Sequence, residues 1–238
     1  MKLTTKTYNR PVCLKIVLET FGKEKIWIKV KDAEKPFTFY TDRYAIVEGK
    51  QTYYVKMPQS PQEAKIILYN EATGDVPKNH DDSFRLVSIE RLPLETGLRN
   101  AKLSTKRFVT FAQEFAAQAG YISANNSIYT SDNGVYRIDY LDKIVSTSGK
   151  EISTPARISQ KTGIIQISKK HFKGYTIPMR MAILLHEFSH FYVNSVKSDE
   201  VEADINGLKI YLELNYPKID AYNVFLHVFQ NAPSAQNK

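Results

Sequence analysis

Two histidines four residues apart, with a glutamate directly after the first, stand in the segment His186-Glu187-Phe188-Ser189-His190. On an α-helix residues i and i+4 share one face, so the two imidazoles can grip one metal ion together. Glu187 is turned by about 100° from His186, close enough to take a proton from a metal-bound water without being a ligand. An electrophilic metal with a separate base is what metal-assisted hydrolysis requires. The chain holds only five histidines, so this pairing seldom arises by chance. The bland alternative is a core helix whose two histidines are hydrogen-bonded packing residues.

The residues around the pentapeptide supply the rest of a site. Met179 to Leu185 is almost wholly apolar and free of Gly and Pro, the pattern of a buried helix. Asn194 and Ser195 can end that helix, and Ser198 can cap a second with Asp199 and Glu200 in its first turn. So short a connection makes an antiparallel helix pair, which sets Glu200 opposite His190. Glu200 is then the third ligand of a site with three protein ligands and a water. Asp204, one turn further along the same face, can accept the free N–H of a ligating imidazole. Glu202 points about 200° away from Glu200 and reads as a solvated surface charge.

His186-Glu-Phe-Ser-His190 followed by Glu200-Val-Glu-Ala-Asp204 resembles the gluzincin pattern of zinc metallopeptidases, HExxH then ExxxD. The resemblance implies His186, His190 and Glu200 as Zn2+ ligands, Glu187 as general base, Asp204 behind a ligand, and a protein or peptide as substrate. The metzincin pattern is not met, because Val193 and Val196 stand where it has Gly and His. The short spacer also leaves no room for substrate-binding structure between the two helices. A weaker similarity, carried by Arg180–His190, Glu200–Gly207 and Tyr211–Pro217, is to peptidase-like proteins in the structural gene blocks of crAss-like bacteriophages. It implies the alternative role of a neck, ring or tail component of a virion, with a zincin-like domain that need not be active. For the oxyanion that forms when water attacks a carbonyl, the downstream candidates are His227 and Tyr211, with Tyr192, Tyr216 and Tyr222 behind them.

The elements that position these residues read as an α+β chain: an N-terminal antiparallel β-sandwich at residues 1–93, then a small zincin-like α+β domain at residues 101–238. Seven short segments rich in Val, Ile, Tyr and Phe read as strands: 13–20, 24–31, 36–40, 44–48, 52–57, 64–69 and 84–90. His80, between polar residues, reads as a surface turn. Leu92 to Asn100, broken by Pro93 and Gly97, is the expected linker. After it, Ser104 can cap a helix that shows Phe108, Phe111, Ala112 and Phe115 on one face and stops at Gly120. A hairpin turn at Ser131–Gly134, strands near 135–141 and 156–159, and a strand at 163–168 lead into the histidine helix. The gluzincin resemblance makes 163–168 the edge to which an extended peptide would add. Beyond Pro217, residues 219–229 read as a last amphipathic helix.

Composition bounds the remaining expectations. The single Cys13 excludes an internal disulfide or a cysteine-built metal site. No apolar signal segment opens the chain and no apolar run reaches membrane length. A cytoplasmic or virion-associated protein that is not Sec-secreted is therefore expected. The net charge is +8. Its densest part, Lys150 to Arg180, reads as a solvated basic face. No nucleic-acid-binding motif accompanies it, so nucleic acid is not an expected partner. Oligomeric structural proteins docking on the sandwich are the expected partners of the virion role.

Overall fold

The computed structural model describes residues 1–72, 83–98, 100–123 and 127–229, with residues 227–229 described by backbone alone. The expected turn at His80 lies outside the described residues. The chain is α+β, and it divides into two compact units, Met1–Thr96 and Gly97–Lys238.

The first unit is an antiparallel sheet of five strands: β1 (Lys2–Lys6), β2 (Val12–Asp32), β3 (Phe39–Met57), β4 (Glu63–Asn70) and β5 (Phe84–Pro93). Strand β2 organises it, pairing with β3 along nearly all of its length, with β5 along its first half and with β4 along its second. The seven expected segments therefore resolve into fewer, longer strands, joined in one hydrogen-bonded sheet in place of two. Residues 13–20 and 24–31 are one strand because pairing with β3 resumes after a register shift between Thr20 and Glu24. The extra residues Phe21, Gly22 and Lys23 stand exposed, the signature of a bulge that bends a strand without ending it. Segments 44–48 and 52–57, with the last two residues of 36–40, merge into β3, while residues 36–38 stay outside it. Strand β1 was not expected: Leu3 and Thr5 are the only residues of Lys2–Lys6 turned from solvent, too short an alternation to stand out. Alternate residues of β2 (Leu14, Ile16 and Leu18; Ile26, Ile28 and Val30) build the core with Val47, Met57, Ile66 and Leu68.

The second unit opens with α1 (Leu103–Gln118), followed by strands β6 (Ser127–Thr130), β7 (Arg137–Leu141), β8 (Ala156–Ile158) and β9 (Ile165–Ser168). After the short α2 (Lys169–Phe172) come α3 (Ile177–Tyr192), α4 (Glu200–Glu213) and α5 (Lys218–Asn223), and a π-helical turn spans Val224–Phe229. The strand order is β6-β7-β9-β8, with β7 and β9 parallel and the other pairs antiparallel. Segment 163–168 is thus not an edge: β9 is paired on both sides, and the terminal strand beside it is β8. The aromatic face of α1 packs on α3, with the Phe108 and Phe188 rings stacked at a centroid distance of 4.1 Å. Ser104 is not its cap; the helix begins at Leu103 after Lys102, with no side-chain cap.

Arg180, expected on a basic face, is fully buried. Its guanidinium donates to the carbonyls of Phe172, Ala116 and Lys173, fastening α3 to the ends of α1 and α2. Thr176 starts α3 by accepting from the Met179 N–H, with Pro178 in the first turn. Among the described residues no helix is long and apolar enough to cross a membrane.

Candidate metal centre

Helix α3 buries every residue from Ile177 to His190 except Met179, His186, Glu187 and His190 among them. Seven residues connect it to α4, whose cap is Asp199, not Ser198: the Asp199 carboxylate accepts from the Glu202 N–H. Glu202 is not a free surface charge, for it accepts the N–H groups of Ser195 and Val196 and ties down the connection. Those bonds hold its carboxyl below the usual carboxylate range. Asn194 adds a bond to the Asp199 carbonyl and takes one from Asn206.

Gly207 fixes how closely the two helices meet. A Cβ at this position would lie 2.9 Å from the His186 nitrogen and 3.1 Å from its Cα, so only glycine allows this approach. Glu200, Asp204 and Gly207 follow one another at helical spacing on the face turned to α3, and their contacts with His186 and His190 follow from it.

Three ligating atoms converge. His186 Nε2 and His190 Nε2 are 3.1 Å apart. Glu200 Oε2 is 3.4 Å from the first and 3.3 Å from the second. A tetrahedral ion with bonds of about 2.0–2.1 Å holds its donors about 3.3–3.4 Å apart, so this triangle has the size of one face of such a shell. The remaining ring nitrogens are held from behind. His186 Nδ1 lies 2.8 Å from Asp204 Oδ1, and His190 Nδ1 lies 2.8 Å from the Lys197 carbonyl. Two imidazoles and a carboxylate form a donor set that could hold a divalent metal, with tautomers fixed by the outer contacts.

The same contacts set the protonation of the metal-free site. Burial pulls His186 down, but Asp204, Glu200 and Glu187 outweigh it and its pKa is pushed up to about 10. For His190 burial is likewise outweighed, chiefly by Glu200, and the pKa rises. Hydrogen bonds from both imidazoles hold Glu200 down at about 2. A metal entering this site displaces those shared protons. Glu187 is buried beside the triangle without belonging to it. Its burial raises its pKa, opposed by His186, by His190 and by a hydrogen bond from the Ile158 backbone N–H on β8.

The oxyanion candidates fare differently. Tyr211 is buried and donates to the Pro217 carbonyl at 2.9 Å. It stands eleven residues after Glu200, about 16 Å along the helix axis, too far to serve the same site. Tyr216 is buried against Tyr211 and accepts from Gln113, Tyr192 faces the Val135 carbonyl, and Tyr222 is exposed. The side chain of His227 lies outside the described residues. Sequence reasoning missed three contributors: the Lys197 carbonyl, the Ile158 N–H and Gly207. The first two are backbone groups that no residue type signals; only a glycine inside a helical pattern, Gly207, was a readable cue.

Comparison of the chain with protein-family models, with curated proteins and with solved structures finds no match. The geometry of the site therefore carries the functional reading.

Proposed function

We propose that this chain is a zinc-dependent metallopeptidase of zincin-like architecture, with His186, His190 and Glu200 as ligands and Glu187 as general base. The observation that carries this reading is the convergence of three donors at tetrahedral spacing, with a buried, separate carboxylate beside them. Zinc, when bound, supplies a Lewis acid and a water made acidic enough to attack a peptide carbonyl. Glu187 receives the proton of that water and returns it to the leaving amine. Its upward-shifted pKa moves it toward the range in which a carboxyl group can do both near neutral pH. The Ile158 N–H orients this base from the terminal strand β8. An extended peptide has β8 as the natural strand to join, since β9 is already paired on both sides.

The second reading, a structural component of a virion, gives the first unit the role of docking to oligomeric neighbours. Among the described residues that unit holds no group of three ligating side chains, which fits a binding role better than a catalytic one. Both roles suit a cytoplasmic or virion-associated protein, and they part on activity. Glu187→Gln should retain stoichiometric zinc and lose cleavage of any peptide that the wild type cuts. Full activity in that variant would refute the assignment of the base.

A further inference from the structure

On the outer face of the first unit three aromatic rings form a row across neighbouring strands. Trp27 of β2 stands directly opposite Tyr44 of β3 on one side and Tyr69 of β4 on the other. The Trp27 and Tyr69 rings are nearly parallel at 7° with centroids 6.1 Å apart, and Tyr44 follows at 6.0 Å from Trp27. Trp27 and Tyr69 are partly exposed, and Tyr44 is 51% exposed. A hydrogen bond from the indole N–H to Asp42 fixes the orientation of the central ring.

Cations surround the row. Lys29 lies 5.3 Å from the Trp27 ring and 5.8 Å from the Tyr69 ring, and Lys25 sits 3.9 Å over Tyr44. These two are also matched by carboxylates, Lys29 by Asp42 and Lys25 by Glu71. Lys31 and Lys65 are not. They stand directly opposite each other on β2 and β4, and neither has an ion pair among the described residues. Like charges directly opposite across strands destabilise a sheet, and an anion bridging the two would remove that penalty.

We propose that this face binds single-stranded nucleic acid, with bases on the Tyr44–Trp27–Tyr69 row and phosphates on Lys29, Lys31 and Lys65. The two features answer the two parts of such a ligand: a stacking platform tolerates any base, and an adjacent basic track follows the backbone. A neutral glycan would use the rings but has no need of the lysine pair. An acidic protein would use the lysines but has no need of a planar row. The ammonium groups now over the rings are on flexible stems and can swing to phosphate as bases take their place. The net charge of +8 favours the same class of partner. The sequence hid this face because its members come from segments far apart, brought into register only by β2.

Trp27 is the only tryptophan of the chain, so its fluorescence reports the row directly. Titrating the full chain with an unstructured oligodeoxythymidylate at low salt should quench that emission, with an affinity that falls as salt rises. Lys31→Ala combined with Lys65→Ala should lower the salt slope by about 2, about one per lost phosphate contact. Tyr44→Ala should weaken binding roughly tenfold, the loss of one stacked base. Absence of quenching, or equal binding by these variants, would overturn the proposal. Equal affinity for polyglutamate would overturn it too, by assigning the face to an acidic protein.

Discussion

In β2 the buried residues Ile26, Ile28 and Val30 alternate with Lys25, Trp27, Lys29 and Lys31, so these three lysines keep their charges toward the surface. In α3 the buried run includes Arg180, His186, Glu187, Ser189 and His190, all within eleven residues. The sheet follows the ordinary rule that charge is left in water except at Asp32, the last residue of β2, which is buried and accepts the N–H groups of Glu34 and Lys35; the helix breaks the rule repeatedly. Burying a polar group without a partner is costly, and α3 answers four of these five cases individually. Arg180 reaches three carbonyls, Ser189 the Leu185 carbonyl, His186 the Asp204 carboxylate and His190 the Lys197 carbonyl. Stability alone would be served as well by apolar residues of similar volume. A helix that instead collects buried polar groups fits the proposed hydrolytic site, and a sheet that keeps its lysines in water fits the proposed binding face.

The contrast can be attacked from either side. The largest effect expected is on the helix, where Glu187→Gln should lower peptide hydrolysis by roughly 10²–10⁴-fold, the usual contribution of a general base. Initial-rate assays of zinc-loaded protein would measure it. Next comes the sheet: Ile28→Ala empties a core position that is 2% exposed and should cost about 2–5 kcal/mol. Denaturant unfolding reads that loss, while zinc per folded chain should not change; a parallel loss of zinc would show that the two regions are not separable as described.

Asp204→Ala sharpens the comparison within the site. Removing the carboxylate behind His186 should weaken zinc binding about 10–100-fold in chelator competition, with the fold intact by circular dichroism. Gly207→Ala forces a Cβ onto the His186 backbone. It should destabilise the protein by about 1–3 kcal/mol as an overpacked contact, and loosen zinc as α4 moves off α3. The smallest effect belongs to the cap of α4: Asp199→Ala should cost about 1 kcal/mol in thermal unfolding and leave zinc affinity nearly unchanged.

The grouping of His186, His190 and Glu200 was largely legible because its logic is local. Helical periodicity aligns His186 with His190, and a connection too short for anything but a hairpin puts Glu200 opposite them. The same periodicity, applied further along α4, would have set Tyr211 aside, since eleven residues carry it several turns beyond the ligand. The β-rich N-terminal unit was less legible, and for a physical reason. Whether Phe21-Gly22-Lys23 ends a strand or bulges within one depends on whether the partner resumes pairing, and β3 does so. Likewise 163–168 carries every mark of a strand, but which strand ends the sheet is decided by the placement of β8, three residues long. Backbone donors and acceptors such as Ile158 and Lys197 leave no trace in residue type at all.

The central claim is that His186, His190 and Glu200 form a zinc site, and metal content tests it most directly. Purified chain equilibrated with zinc and then dialysed should hold one zinc per molecule by atomic emission, and His190→Ala should hold none while still folding. Folded wild-type protein that retains no zinc, or a His190→Ala variant that retains it fully, would contradict the account.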